Sequence, residues 1–101
     1  MSIDRDKIAL QLGFRREDVD MLISVFSKNA AVSLTQMKQM IADHDLSGIA
    51  DAAHAIKGSS GNLKLHSIYA SAQTIEMQAK EHSSTNFEVH YNTLKNLIDT
   101  L

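Results

Sequence analysis

Apolar residues recur at steps of three and four along almost the whole chain, the spacing of amphipathic helices, and no stretch alternates as a strand would. The pattern predicts a short helix over Asp4–Leu12, with Ile8 and Leu12 on one side and Gly13 as its stop. A long helix follows from about Arg16 to Ala42, with Val19, Leu22, Phe26, Ala30, Leu34, Met37 and Ile41 as its stripe. Its start lacks a good cap, although Glu17 and Asp18 suit the positive end of the helix dipole. Asp45 is an N-cap for a third helix, which turns Leu46, Ile49, Ala53, Ile56, Ser60 and Leu63 inward. Residues 62–67 read as a connection, with Ser67 capping a helix over Ile68–Glu81 whose Ile68, Ala72, Ile75 and Ala79 face in. His82–Asn86 is polar and loop-like. Phe87–Leu101 is the last helix, with Val89 or His90, Leu94, Leu97 and Leu101 inward. Four long amphipathic helices with short joins predict an all-α fold, an antiparallel four-helix bundle with a short extra N-terminal helix.

Composition narrows the class. At 101 residues the chain reads as one domain over 1–101 with one modest core. It has no proline, so the strongest helix breaker is missing, and no cysteine, so disulfides and thiolate metal sites are excluded. Nothing argues against a reducing, cytoplasmic setting. The net charge of −2, with no basic stripe, argues against nucleic acid as a partner. Residues 1–6 lack the pattern of a signal peptide, and no apolar run approaches the roughly 20 residues that cross a bilayer. Met1 and the full set of helices favour a free-standing protein, although a module cut from a larger chain would read the same. The five methionines, among them Met37, Met40 and Met77, read as core filling.

The chemistry concentrates in the third helix. His54, Lys57 and Gly58 stand at i, i+3 and i+4 and share one face, flanked by Ala50 and Gly61. None of these small residues covers the imidazole. A nucleophilic nitrogen open to a large partner, with a cation one turn away, suits a group that accepts and returns a phosphoryl. A glycine within a helix costs roughly 1 kcal/mol against alanine, so two of them near one histidine need a reason. Either bulk is unwelcome beside the imidazole, or Gly58 lets two helices approach and Gly61 frays the helix end. Periodicity does not choose between them. His44, His66, His82 and His90 sit in turns, loops or at a helix border; His44 with Asp43 and Asp45 could bind a metal but is common surface composition, and no His-Glu-x-x-His motif or phosphate-binding glycine loop occurs.

The run His54-Ala-Ile-Lys57-Gly58-Ser59-Ser60-Gly61-Asn62-Leu63 closely resembles the signature of histidine-containing phosphotransfer (HPt) domains. There a helix carries histidine, lysine three later, then glycine, two small residues and an aliphatic. Asp45, nine residues before His54, stands where such domains often begin that helix, and the Ile75-Glu76 pair resembles the acidic or amide end of the next one. The match is dense over Asp45–Glu76. It departs from the family at Lys64, where glycine usually follows the aliphatic; a lysine adopts left-handed dihedrals at a cost of order 1 kcal/mol.

The resemblance implies a phosphorelay intermediate of two-component signalling, a carrier with no kinase activity of its own. His54 would take the phosphoryl on Nε2, with Lys57 offsetting its charge and Ser59 adding a hydrogen bond. Glu76 or Gln73 on the next helix would hold Nδ1–H and set the tautomer, unless Glu76 is simply a solvated carboxylate. The partners would be receiver domains of response regulators or hybrid sensor kinases, which supply Mg²⁺; the protein itself needs no cofactor and acts as a monomer. The rival is a helical adaptor in which the His54 face is only a packing surface.

Overall fold

The computed structural model describes residues 3–82 and 86–101. Residues 1–2, and residues 83–85 of the expected polar loop, lie outside the described part. Five helices follow one another: α1 Arg5–Leu12, α2 Arg16–Ala42, α3 Leu46–Asn62, α4 His66–Lys80 and α5 Phe87–Asp99. The described residues contain no strand. At about 1.5 Å per residue the 27 residues of α2 span roughly 40 Å, which sets the 42 Å long axis of the molecule.

Helix starts follow local chemistry. Asp4, Asp45 and Asn86 each accept a backbone N–H from three residues on, which satisfies a donor that has no partner within the helix. At the uncapped start of α2 the Asp18 carboxylate accepts the Arg15 N–H instead. α4 begins at His66, so Ser67 lies inside its first turn and caps nothing; buried Leu65 occupies the N-cap position without a side-chain bond. Packing of Leu65 into the core, 2% exposed, fixes that entry where capping chemistry does not.

The helix ends share one device. After α2 and α3 the chain turns left-handed at His44 and Lys64, with φ of 56° and 58°. The next N–H reaches back five residues in each case, from Asp45 to the Met40 carbonyl and from Leu65 to that of Ser60. His82 adopts the same sense after α4, and Gly13 does so after α1. The lysine in place of the family's glycine therefore keeps the turn and carries its strain. Lys64→Gly is expected to stabilise the fold by about 0.5–1 kcal/mol, net of glycine's larger unfolded-state entropy, and to raise Tm by roughly 2–8 °C. A thermal melt checks this.

α2 packs on α3, α3 on α4, α4 on α5 and α5 back on α2, while α1 packs against α2. Arg5 fastens α1, with Nη1 on Asp20 Oδ1 at 2.9 Å and Nη2 donating to the Leu101 carbonyl at 2.7 Å. The stripe of α2 runs Val19, Ile23, Phe26, Ala30, Leu34 and Met37. Ile23 takes the place expected of Leu22, which is half-buried, as is Ile41. On α5 the buried residues are Tyr91, Leu94 and Ile98; Val89 is exposed and His90 and Leu97 are half-buried. The 4-3-4 spacing from Phe87 places this stripe, and Val89 falls about 200° round from Phe87. Each fully buried Ile or Leu, such as Ile75 and Leu94, contributes about 1.5–3 kcal/mol. Among the described methionines only Met37 is fully buried; Met40 is half-buried, and Met21 and Met77 are exposed, so the core-filling expectation fails for those two. No helix among the described residues is long and apolar enough to cross a membrane.

Candidate functional site

α3 and α4 form the most extensive helix pair, and their buried positions include Ala50, Ala53, Ala72 and Ala79. Small residues let helices approach closely, so a carboxylate on α4 reaches a side chain at the border of α3. Ala53 is fully buried, and His54 follows about 100° round the helix, where its side chain is 66% exposed. Glu76, beside buried Ile75, is only 3% exposed.

Three donors converge on Glu76. His54 Nδ1 lies 2.7 Å from Oε2, Lys57 Nζ 2.6 Å from Oε1, and Lys80 Nζ 3.3 Å from Oε2. A buried carboxylate is tolerated when its charge is paired and its lone pairs are filled, and here both conditions hold. The Lys57 hydrogen bond, then those of His54 and Lys80, outweigh desolvation and lower the carboxyl from 4.5 to about 2. Glu76 is therefore ionised at neutral pH and can only accept, so His54 Nδ1 must donate. In the neutral ring this leaves the lone pair on Nε2, on an exposed imidazole.

The alternatives left by the sequence separate here. Glu76 is buried and paired, which disposes of the solvated carboxylate. Gln73, one turn earlier on α4, is half-buried, and among the described residues it makes no hydrogen bond to the imidazole. Lys57 is directed to Glu76, with its own pKa raised by that bond, and its side chain is only 21% exposed. The Ser59 hydroxyl donates to the Ala55 carbonyl of its own helix at 3.0 Å. Ser60, fully buried, donates to the Lys57 carbonyl.

The two glycines part company. A Cβ on exposed Gly58 would meet nothing within 4 Å. One on Gly61 would lie 3.1 Å and 3.3 Å from the Tyr69 ring, so Gly61 serves the close approach of α3 and α4 and does not flank an open imidazole. Ala50 is also buried. Lys80 is the residue that sequence reasoning passed over, although its place four residues after Glu76 is the favoured spacing for a helical ion pair. On the α2 side of His54 a groove runs between α2 and α3, lined by Leu22, Val25, Asn29, Ser33, Ala55 and Ser59 among others, with Val25 half-exposed at its lip.

A family model described as the Hpt domain matches residues 21–101. The chain belongs to the Hpt domain family. Histidine phosphotransfer in two-component signalling is the work of Hpt domains. The match takes in α3, α4 and α5 and most of α2, and leaves α1 outside. No curated protein and no solved structure matches this Hpt chain. Among the described residues no group of three His, Cys, Asp or Glu side chains is placed to hold a metal ion.

Proposed function

We propose that this Hpt domain accepts a phosphoryl group on His54 Nε2 from the aspartyl phosphate of one receiver domain and passes it to another. The observation that carries the reading is an exposed imidazole whose Nδ1–H is pinned by a buried, ionised carboxylate. The Nε2 lone pair forms the P–N bond, and the P–O bond breaks with its electron pair leaving on the receiver's carboxylate. The Nδ1 proton stays in place, and Glu76 offsets the positive charge that the ring acquires. On return the ring leaves as neutral imidazole, so neither direction requires a proton to enter or depart. Lys57 acts through Glu76, holding the carboxylate ionised.

The receiver supplies Mg²⁺ and docks beside His54 over the α2–α3 groove; the Hpt domain acts as a cytoplasmic monomer and phosphorylates nothing on its own account. The scaffold is an antiparallel bundle of α2–α5 with α1 appended, a reading supported by the ring of helix contacts and by three-residue joins at Asp43–Asp45 and Leu63–Leu65. The test is incubation with a phosphorylated receiver. Label should appear on the Hpt chain, labile in acid and stable in base, as a phosphoramidate is. Acid-stable label would point to a serine and overturn the assignment.

Gly58 bears on docking. With open space around its Cβ position and glycine the poorer helix former, Gly58→Gln is expected to hold or raise thermal stability by up to roughly 1 kcal/mol. The new side chain would project one turn from His54 into the receiver's path. Transfer from a receiver should drop while phosphoramidate, which needs no docking, still labels His54. Normal transfer would place the receiver on another side.

A further inference from the structure

We infer that Lys80, and not Lys57, is the cation that binds the phosphoryl group on His54, an assignment that rests on the phosphotransfer reading above. Both ammonium groups contact Glu76, but on different terms. Lys57 lies 2.6 Å from Oε1 with a side chain 21% exposed. If it turned outward to a phosphoryl it would strip its strongest partner from a carboxylate that is 3% exposed. Lys80 lies 3.3 Å from Oε2 with a side chain 66% exposed, a longer and solvated contact that gives way readily.

Position favours the same residue. Lys80 shares Oε2 with the His54 Nδ1–H, whereas Lys57 holds Oε1. When Lys80 leaves, Glu76 keeps two donors, one on each oxygen, and stays satisfied. A dianionic phosphoryl on Nε2 offers a charged acceptor within the sweep of Lys80's flexible four-carbon stem. The two lysines thus divide the work: Lys57 holds Glu76, and Lys80 moves from Glu76 to the phosphoryl as charge arrives.

The experiment loads His54 with phosphoramidate, removes the donor, and follows the lifetime of the isolated phosphohistidine by acid-labile label, so that no receiver contact enters. Lys80→Ala is expected to shorten that lifetime roughly tenfold with Tm nearly unchanged, and Lys80→Arg to restore most of it. Lys57→Ala is expected to lower Tm and to change the lifetime less than Lys80→Ala does. A Lys80→Ala lifetime equal to wild type, on a protein still labelled at His54, overturns the assignment to Lys80 alone. A larger loss of lifetime in Lys57→Ala than in Lys80→Ala returns the role to Lys57. A wild-type protein that takes no label at His54 overturns the assignment together with the phosphotransfer reading.

Discussion

His54→Gln is expected to accept no phosphoryl group while folding as the wild type does. The side chain is 66% exposed and makes one hydrogen bond, to Glu76, so its loss removes little packing. Glutamine is the better helix former, by a few tenths of a kcal/mol, and Glu76 keeps Lys57 and Lys80. Tm should therefore stay within roughly 5 °C of wild type. The nucleophile is gone outright, because an amide offers phosphorus no comparable lone pair. Label from a phosphorylated receiver should fall to background, with an unchanged circular dichroism spectrum. A labelled variant would mean that another residue carries the phosphoryl.

Glu76→Gln carries the second large effect, and it acts on stability and transfer together. Glu76 ionises at about 2 in the folded protein, against an ordinary 4.5, chiefly because Lys57 donates to it. The folded state therefore binds this proton more weakly than the unfolded chain does. The stabilisation from the carboxylate is fully present above pH 4.5 and is lost as pH falls from there through about 2. Its size is on the order of 3 kcal/mol. The neutral amide lacks that charge at every pH. At pH 7 the variant should thus be less stable by about that amount, with Tm lower by roughly 10–20 °C, and the two stability curves should converge near pH 2. Parallel curves from pH 7 to pH 2, by urea titration, would show that Glu76 does not hold its folded-state charge. The amide also presents an NH₂ group where the cluster needs only acceptors, which loosens the grip on Nδ1–H. Phosphoryl transfer by the folded fraction should slow roughly 10- to 100-fold.

Much of the fold was written in local pattern. The bounds of α2 and the position of Asp45 before α3 follow from apolar spacing and capping chemistry, which act within a few residues of sequence. Misreadings fell where local signals compete. Leu22 and Ile23 are adjacent aliphatics, and only contact with the neighbouring helices decides that Ile23 is buried and Leu22 half-buried. Ser67 has the chemistry of a cap, but Leu65 is drawn into the core two residues earlier, and the helix starts just after it at His66. On α5 the stripe through Tyr91 was hidden behind Val89 and His90, apolar or ambiguous residues on other faces.

For the site the division is sharper. By itself the sequence determined the nucleophile candidate, because His54, Lys57 and Gly58 lie on one α3 face through helical geometry alone. It also determined the family resemblance, which the Hpt match bears out. Only the tertiary structure decided what holds that histidine. Residues 54 and 76 are 22 positions apart, and their meeting depends on how closely α3 approaches α4 and in what register. Burial then made Glu76 an acceptor shared by three donors, which keep it ionised against the desolvation, since a charge removed from water must be paired. The same packing assigned Gly61 to Tyr69, left Gly58 open, and set Lys57 against Glu76 with Lys80 beside it. Apart from the Glu76–Lys80 pair within α4, no single helix contains those distances. They arise only when two helices, each correctly read, are laid side by side.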